Sequence, residues 1–230
     1  MAERELWAVS LGRFGYGEAL ELQRNIARDR ISGAIPQDVL LFLEHPPVVT
    51  LGRGTKQKHL VASPEFLQSK GVELFEVERG GDVTFHGPGQ LVGYPIIDLK
   101  RHRQDLHWYL RTIEAALINT LADYGMKAER KAPYTGVWTQ GKKIASIGVH
   151  ARDWVTWHGF ALNVTTDLSY FDLIIPCGID GVVMTSIARE LGSEEISQQD
   201  VRDRVTAKFA EAFDLTAVVT PRSALLETVA

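Results

Sequence analysis

The sequence predicts a single domain, residues 1–230, of the α+β (mixed α/β) class, in which helices are interleaved with a mostly antiparallel sheet. Of its 230 residues, 45% are apolar and 23% are charged, proportions typical of a globular domain with a sizeable core. Strand-like and helical apolar patterns alternate along the chain, and no linker segment divides it.

The composition argues against several classes of protein. With 25 Lys and Arg against 29 Asp and Glu, the net charge of −4 gives no bulk attraction for nucleic acid. Apolar runs such as Val39–Leu43 are far shorter than the ~18–20 residues of a membrane-spanning helix, and the charged start MAERELWAVS is unlike a secretory signal. The single cysteine, Cys177, allows no intramolecular disulfide and no cysteine-based zinc site. We therefore expect a cytoplasmic protein that binds no metal, membrane or nucleic acid.

The first part of the chain predicts strands around a helix. Leu6–Ser10 alternates weakly between apolar and polar residues, which indicates a short strand, whereas Tyr16–Ile31 carries apolar residues at helical spacing. Val39–Glu44 is aliphatic and is followed by two prolines, which indicates a buried strand that stops there. Pro47–Gly52 is a candidate for a second, pairing strand.

A short helix, two strands and a long helix follow. Ser63–Gly71 begins with a serine and a proline, which are typical of the N-cap and the first position of a helix. Val72–Arg79 and Gln90–Leu99 predict strands on either side of a glycine-rich segment. Leu106–Tyr124 repeats apolar residues at steps of three and four, the pattern of one buried helix face.

The last part predicts antiparallel strands and a C-terminal helix. Met126–Val164 consists of short runs rich in Val, Ile, Thr and Trp, separated by glycines. Ser197–Asp200 fits a capping box, and apolar residues then recur on one face of Val201–Phe213.

The segment Arg79–Gln90, with the sequence RGGDVTFHGPGQ, is the first candidate for a binding site. Its four glycines allow the backbone to approach a ligand closely or to adopt positive φ. It lacks the Gly-Lys-Ser/Thr end of a P-loop, and a plain hairpin turn would explain its composition equally well. The polar Thr84, His86 and Gln90 between the glycines favour a binding loop.

Two adjacent lysines begin the second candidate segment, GKKIASIGVH at 141–150. Alternation along a strand sends Lys142 and Lys143 to opposite faces, so at most one of them points inward. Such a pair is usually a solvated surface feature. The small residues that follow would nevertheless leave room for a ligand against the backbone.

The third candidate is Cys177 in the segment IIPCGIDG. A lone cysteine is most often an inert buried residue, but Pro176 and Gly178 fix a turn that can present its thiol to a cleft. A cysteine nucleophile also needs a partner that favours the thiolate. The candidate partners are Lys143, His86, His150 and His158.

Five motifs occur in a recognisable order and spacing. They are RGGDVTFHGPGQLVGYP at 79–95, GKKIASIGVH at 141–150, HGFALNV at 158–164, PCGI at 176–179 and MTS at 184–186. Over about residues 7–191 the chain thereby resembles the lipoyl(octanoyl) transferases of lipoate biosynthesis. The resemblance implies a central mixed, largely antiparallel sheet flanked by helices, as in the catalytic domains of lipoate and biotin protein ligases.

The resemblance also assigns roles to residues. Cys177 of the PCG turn and Lys143, the lysine before Ile-Ala-Ser, would be catalytic, whereas Lys142 inherits no role. The acyl chain would lie along Arg79, Gly80, Gly81, Asp82, Val83, Thr84, Phe85, His86, Ser146, Ile147, Gly148, Gly159, Phe160 and Ala161. Phe160 departs from the smaller aliphatic residues also found in the family, and we expect its bulk to trim one wall without altering the reaction.

The implied reaction is a two-step acyl transfer in protein lipoylation that needs no cofactor. The Cys177 thiolate attacks the thioester of octanoyl-acyl carrier protein, and a lysine ε-amine then takes the octanoyl group as an amide. The expected acceptors are lipoyl domains of 2-oxoacid dehydrogenases and the glycine cleavage H protein. Backbone N–H groups near Gly148 or Cys177 are candidate donors to the oxyanion.

Other classes of function stay open at this point. An ATP-dependent lipoate or octanoate-protein ligase would form an acyl-adenylate and would need no nucleophilic cysteine. A non-catalytic acyl-binding module is a further reading. A cysteine hydrolase is less favoured, because it would usually need a histidine base with an Asn or Asp to orient it.

An acidic carrier protein can dock on a net negative chain only at a local basic patch. Two segments qualify by sequence: Lys100–Arg103, with four consecutive basic or titratable residues, and Arg53–His59, with Arg53, Lys56, Lys58 and His59. Either segment could also be an ordinary solvated loop. The denser charge favours Lys100–Arg103.

Overall fold

The computed structural model describes residues 4–228 of the chain. Its strands are β1 (Glu5–Arg13), β2 (Asp38–Glu44), β3 (Val48–Leu51), β4 (Glu73–Glu76), β5 (Thr84–His86), β6 (Gln90–Ile96), β7 (Ala128–Glu129), β8 (Val137–Thr139), β9 (Lys142–Arg152), β10 (Val155–Asn163) and β11 (Thr216–Val219). Its α-helices are α1 (Tyr16–Ser32), α2 (Pro64–Ser69), α3 (Leu106–Ala122), α4 (Ile187–Leu191), α5 (Gln198–Phe213) and α6 (Arg222–Thr228).

The main sheet has eight strands in the order β11-β1-β2-β6-β10-β9-β8-β7. β1 is parallel to both β11 and β2, and every other neighbouring pair in this sheet is antiparallel. The predicted mixed, largely antiparallel sheet is therefore confirmed. The longest antiparallel register joins β9 to β10, with Gly148 opposite Gly159 and Ser146 opposite Ala161.

Helices cover both faces of the main sheet, as predicted. Apolar residues of α3 and α5 pack on one face, and those of α1 pack on the other. The strands β2, β6 and β10 are thus buried on both sides and supply residues to both cores. Burial on both faces explains why β2 is almost continuously aliphatic rather than alternating.

A second sheet of three strands lies beside the first, in the order β4-β3-β5. The strand predicted at Pro47–Gly52 forms as β3, but it pairs with β4 in parallel and with β5 in antiparallel fashion. The prolines at 46 and 47 have no N–H to offer, so the ladder of β2 ends before them. β5 itself lies within the glycine-rich segment, where the sequence predicted no strand.

The helix-start signals are confirmed by side-chain caps. Ser63 accepts a hydrogen bond from the N–H of Phe66 at 3.2 Å, and Ser197 accepts one from the N–H of Asp200 at 3.2 Å. The sequence did not predict β11, an edge strand of four exposed residues that is parallel to β1. Because all four side chains of β11 are exposed, no alternation of apolar and polar residues marks it.

Within residues 4–228, no helix is long and apolar enough to cross a membrane. The same part of the chain contains no group of three or more His, Cys, Asp or Glu side chains arranged to hold a metal ion.

Candidate active site

The three predicted acyl-binding stretches meet around a cavity of about 170 Å³. The predicted residues that line it are Arg79, Gly81, Asp82, Thr84, His86, Lys143, Ser146, Ile147, Gly148, Gly159, Phe160, Ala161 and Cys177. Gly80, Val83 and Phe85 do not line it. Along the extended segment that ends in β5, alternate side chains point to opposite faces, and those of Val83 and Phe85 point into the apolar core beneath the small sheet.

Cys177 lies in a tight turn at Pro176–Gly178, as the flanking proline and glycine predicted. Its backbone is left-handed, with φ of +56°, a conformation that is uncommon for a residue with a side chain. The Cys177 N–H donates to the carbonyl oxygen of Val83 at 2.9 Å. The thiol is half-buried at the cavity.

Lys143 brings a cation to the thiol. Its Nζ lies 2.9 Å from the Sγ of Cys177 and 3.4 Å from the carbonyl oxygen of Thr135. The side chain is only 1% exposed, and its Nζ lies 4.9 Å from the centre of the Trp138 ring. Gly136, at φ of +138°, leaves the space that the lysine stem occupies, since a Cβ there would lie 2.9 Å from the Lys143 Cε.

Strand alternation separates the two neighbouring lysines. Lys142 faces away from the cavity and pairs with Glu190 at 2.9 Å, while Lys143 is buried beside the thiol. The expectation that at most one of them points inward is confirmed by this geometry. The inward one is the lysine that precedes Ile-Ala-Ser.

None of the described histidines is hydrogen-bonded to the Cys177 sulfur. The Nδ1 of His86 bonds to the Oε1 of Gln90 at 2.8 Å, and the ring of His150 packs on Trp157. Besides Lys143, the polar side-chain group near Sγ is the hydroxyl of Ser146, at 3.8 Å. The Cys177 N–H is already bonded to Val83, so it is not free to serve the oxyanion.

The sequence matches the model of the lipoyl protein ligase A/B catalytic domain over residues 15–210. The chain belongs to this family. It is 51% identical over 219 residues to an octanoyltransferase of Acidobacterium capsulatum, covering 89% of each chain. It is 54% identical over 198 residues to an octanoyltransferase of Rubrobacter xylanophilus, covering 85% of this chain and 88% of that one. The resemblance to octanoyltransferases is thereby confirmed.

Solved structures of low sequence identity share the fold of this lipoyl protein ligase A/B domain. A bipartite lipoate protein ligase of Thermoplasma acidophilum matches with a TM-score of 0.79 at 18% identity, over 98% of this chain and 90% of that one. A biotin protein ligase of Aquifex aeolicus matches with a TM-score of 0.55 at 13% identity, over 91% and 70%. The predicted ligase-like architecture is confirmed.

Phe160 lines the cavity of this family member and is also part of the apolar core. Its ring packs over Gly93, where an added Cβ would lie 2.1 Å from the ring Cζ, and belongs to the core beneath α3 and α5. The bulk of Phe160 is therefore accommodated by the missing side chain of Gly93. Phe160 still lines the cavity, and the effect of its bulk on the acyl site stays a prediction.

Buried aromatic and histidine rings form part of the cavity wall of this lipoyl protein ligase A/B domain. Tyr16 and His86 stack at 6.0 Å between ring centres, and Tyr94 meets His158 edge-on at 6.4 Å. Burial raises the pKa of Tyr16 to about 12 and that of Tyr94 well above its ordinary value. Burial also lowers the pKa of His86 and of His158. All four rings are therefore neutral at pH 7, and they contribute uncharged hydroxyl and imidazole groups to the wall.

Several cavity residues were absent from the prediction. They are Tyr16, Tyr94, Tyr134, Thr135 and Ile179. His158, which also lines the cavity, was expected only as a candidate partner of Cys177. Tyr94 had a usable signal, because it is the next-to-last residue of the glycine-rich motif, and His158 opens the HGFALNV motif. His158 has a left-handed backbone, φ +57°, and its N–H donates to the Oε1 of Gln23 in α1. The others come from segments with no local pattern that marks a ligand site.

Arg79 is a buried cation in the cavity wall. Its guanidinium donates to the carbonyl and hydroxyl oxygens of Thr50, both at 2.8 Å, and to the carbonyl oxygen of Gly80 at 3.1 Å. Burial lowers the pKa of Arg79 from its ordinary value. These bonds join the glycine-rich segment to β3 and fix the wall against which an acyl chain would lie.

Proposed function

We propose that this chain transfers an octanoyl group from octanoyl-acyl carrier protein to lysine ε-amines of lipoyl domains, through a thioester on Cys177. Two relatives at 51% and 54% identity are named octanoyltransferases, which supports octanoyl transfer as the activity. The observation that carries the cysteine mechanism is the 2.9 Å contact between Cys177 Sγ and Lys143 Nζ beside the cavity. Residues 1–230 act in this proposal as one catalytic domain.

In the first step, Cys177 becomes acylated. A free thiol is only a few per cent ionised at pH 7, and the adjacent Lys143 ammonium favours the thiolate form. The thiolate attacks the thioester carbonyl carbon, a new C–S bond forms, and the bond to the phosphopantetheine sulfur breaks. Lys143 gives its proton to the departing thiolate and becomes a neutral amine.

In the second step, the acyl group moves to nitrogen. The neutral acceptor amine, which has lost its own ammonium proton to solvent, attacks the thioester on Cys177. The C–N bond forms, the C–S bond breaks, and the surplus amine proton passes to Lys143. The enzyme returns to the thiolate and ammonium pair from which it started, so no net proton remains on it.

The cavity offers a site for a medium acyl chain. An octanoyl group has about seven methyl and methylene groups, and burying each contributes roughly 0.8 kcal/mol. Gly148, Gly159 and Ala161 line the cavity with little side-chain bulk, and the neutral rings of Tyr94 and His86 add no charge that would oppose an apolar tail. Burial of the whole chain therefore contributes about 5–6 kcal/mol to the binding free energy, which is enough to favour octanoyl over much shorter chains.

Neither step uses ATP, because thioester exchange is nearly thermoneutral and amide formation from a thioester is downhill. We place the reaction in the cytoplasm, with octanoyl-acyl carrier protein as donor. The acceptors are lipoyl domains of 2-oxoacid dehydrogenases and the glycine cleavage H protein. Metal and cofactor have no part in the proposed steps.

Intact-protein mass spectrometry tests the proposal. The protein is mixed with octanoyl carrier protein alone, without ATP, and we expect one octanoyl adduct that maps to Cys177 and is lost when a lipoyl domain is added. Octanoylation of the lipoyl domain that requires ATP and passes through no cysteine adduct would establish the ligase alternative instead.

A further inference from the structure

A buried histidine and aspartate pair lies directly beneath the turn that carries Cys177. The Nδ1 of His59 lies 2.7 Å from the Oδ2 of Asp82, and the two side chains are 8% and 13% exposed. His59 is therefore not part of a basic surface, although the sequence placed it in one. The proposed acyl transfer gives neither side chain a proton to move.

Each member of the pair belongs to a segment that is bonded to the cysteine turn. The N–H of Ile175 donates to the carbonyl oxygen of His59 at 2.8 Å, before the turn. The other oxygen of Asp82 accepts the N–H of Val83 at 2.7 Å, and the carbonyl oxygen of Val83 accepts the N–H of Cys177 at 2.9 Å. The His59–Asp82 bond thus closes a ring of contacts around the turn.

The turn also packs against the pair. A Cβ placed on Gly178 would lie 2.5 Å from the Oδ2 of Asp82 and 2.8 Å from the Cε1 of His59. Cys177 has a left-handed backbone that a residue with a side chain does not favour by itself. Such a conformation persists only where its surroundings over-determine it.

We propose that His59 and Asp82 are positioning residues. They hold the Pro176–Gly178 turn so that the Cys177 sulfur stays in contact with the Lys143 amine. This inference rests on the proposed cysteine mechanism. A carboxylate only accepts hydrogen bonds, so the Nδ1 of His59 carries the proton that joins them. The pair fixes the turn in two ways: its hydrogen bond joins the segments on either side of the turn, and its side chains fill the space against which Gly178 packs.

Four variants separate positioning from charge. His59→Ala and Asp82→Ala remove the bond. His59→Asn keeps an N–H donor at the place of Nδ1. Asp82→Asn removes the negative charge but keeps an oxygen for Val83, while its amide can donate to the other tautomer of His59.

The chain offers a matched control in a second buried histidine and aspartate pair. The Nε2 of His102 lies 2.6 Å from the Oδ2 of Asp38, and both side chains are nearly inaccessible. Neither residue has a hydrogen bond to the cysteine turn. His102→Ala therefore reports what losing a buried pair of this kind does to stability alone.

The measurement is the single-turnover rate of Cys177 acylation by octanoyl-pantetheine, followed by intact mass, beside the melting temperature of each variant. A displacement of a reacting group by about 1 Å lowers a rate by up to about 100-fold. We expect the two alanine variants to lose about 10- to 100-fold in rate, while His102→Ala melts at a similarly lowered temperature and acylates at the normal rate. His59→Asn and Asp82→Asn should recover to within about three-fold of wild type.

Three results would overturn the inference. Normal acylation in both alanine variants would show that the turn keeps its conformation without the His59–Asp82 pair. A loss in Asp82→Asn as large as in Asp82→Ala would assign the effect to charge, and an equal loss in His102→Ala would assign it to stability. Absence of any adduct on the wild-type protein would instead contradict the proposed function.

Discussion

At the scale of single residues, the proposed chemistry rests on the contact between the half-buried sulfur of Cys177 and the buried amine of Lys143. Cys177 Sγ and Lys143 Nζ lie 2.9 Å apart, and the next lysine, Lys142, is engaged on the other side of the strand by Glu190. Lys143 has no carboxylate partner among the described residues, so its charge is directed at the sulfur. The same arrangement leaves Lys142 with a structural contact only.

Replacing the nucleophile tests the thioester intermediate. In Cys177→Ser, we expect no octanoyl adduct and a transfer rate lowered by about 1,000-fold or more, because a hydroxyl is far less ionised than a thiol. The circular dichroism spectrum and melting temperature should stay close to wild type, since the sulfur is only half-buried. Full transfer activity in this variant would rule out covalent catalysis through Cys177.

The two lysines form a matched pair for a second test. Lys143→Ala should lower the acylation rate by about 100-fold or more, as expected for loss of a general acid and base. Lys142→Ala removes a partly exposed ion pair and should retain activity to within about two-fold. Steady-state transfer assays on both variants check this, and equal losses would mean that the amine next to the sulfur has no special role.

At the scale of secondary-structure elements, one histidine ties three segments together at the end of β2. The Nδ1 of His45 donates to the carbonyl oxygen of Phe14, between β1 and α1, at 2.7 Å. Its Nε2 therefore accepts from the hydroxyl of Tyr94 in β6, at 2.7 Å. Burial lowers the pKa of His45 to about 4, so this link is made by the neutral ring.

Stability should accordingly fall in mild acid. Above pH 6.5, His45 is neutral in the folded and the unfolded chain, but between pH 6.5 and 4 only the unfolded chain takes up the proton. The expected cost to the free energy of unfolding is about 2 kcal/mol between pH 7.5 and pH 5, and His86 and His158 add to it with the same sign. Urea unfolding at both values checks this.

A variant that cannot be protonated isolates this contribution. His45→Gln is expected to be less stable at pH 7.5 but to lose about 2 kcal/mol less than wild type on going to pH 5. Parallel losses in the two proteins would mean that His45 does not govern the acid response.

At the scale of the whole molecule, the structure reverses the order of preference between the two basic segments that the sequence singled out. In Lys100–Arg103, His102 is buried against Asp38, Arg101 donates to the carbonyl oxygen of Pro36, and Arg103 pairs with Asp105 at 3.1 Å. In this segment, which its denser charge favoured, three of the four residues therefore lie against carboxylates, since Lys100 is also 4.0 Å from Asp98.

The other segment keeps free charge beside the cavity. Arg53, Lys56 and Lys58 are exposed, and none of them forms an ion pair with another residue of the described chain, 4–228. The N–H of Arg53 donates to the carbonyl oxygen of Arg79 at 3.0 Å, which fixes this loop to the cavity wall. An acidic carrier protein is therefore expected to dock here rather than at Lys100–Arg103.

Charge reversal at the two segments distinguishes them. The double variant Lys56→Glu/Lys58→Glu should raise the KM for octanoyl carrier protein and leave transfer from octanoyl-pantetheine largely unchanged. The defect should shrink as salt rises, because exposed charges are screened beyond ~10 Å at 0.1 M. Arg101→Glu/Arg103→Glu is the control and should have the smaller effect; the reverse order, or equal losses with both donors, would place docking elsewhere.

The sequence by itself determined the local features of this protein. Apolar periodicity located α1, α3 and α5, strand alternation separated Lys142 from Lys143, and a proline and a glycine placed Cys177 in a turn. These features depend on neighbours within a few residues, and such short-range preferences can be read from the chain. The five ordered motifs supplied the family and the two residues of the proposed chemistry.

Only the tertiary structure decided which groups meet. It brought Lys143 to a sulfur 34 residues away, set Gly93 beneath Phe160, added Tyr16 to the cavity and buried His59 on Asp82. It also paired β3 with β4 and β5 and joined exposed β11 to β1. Each of these results depends on strand order and on packing between distant segments. The energy of such a contact depends on both partners together, so the apolar periodicity of either segment alone does not predict it.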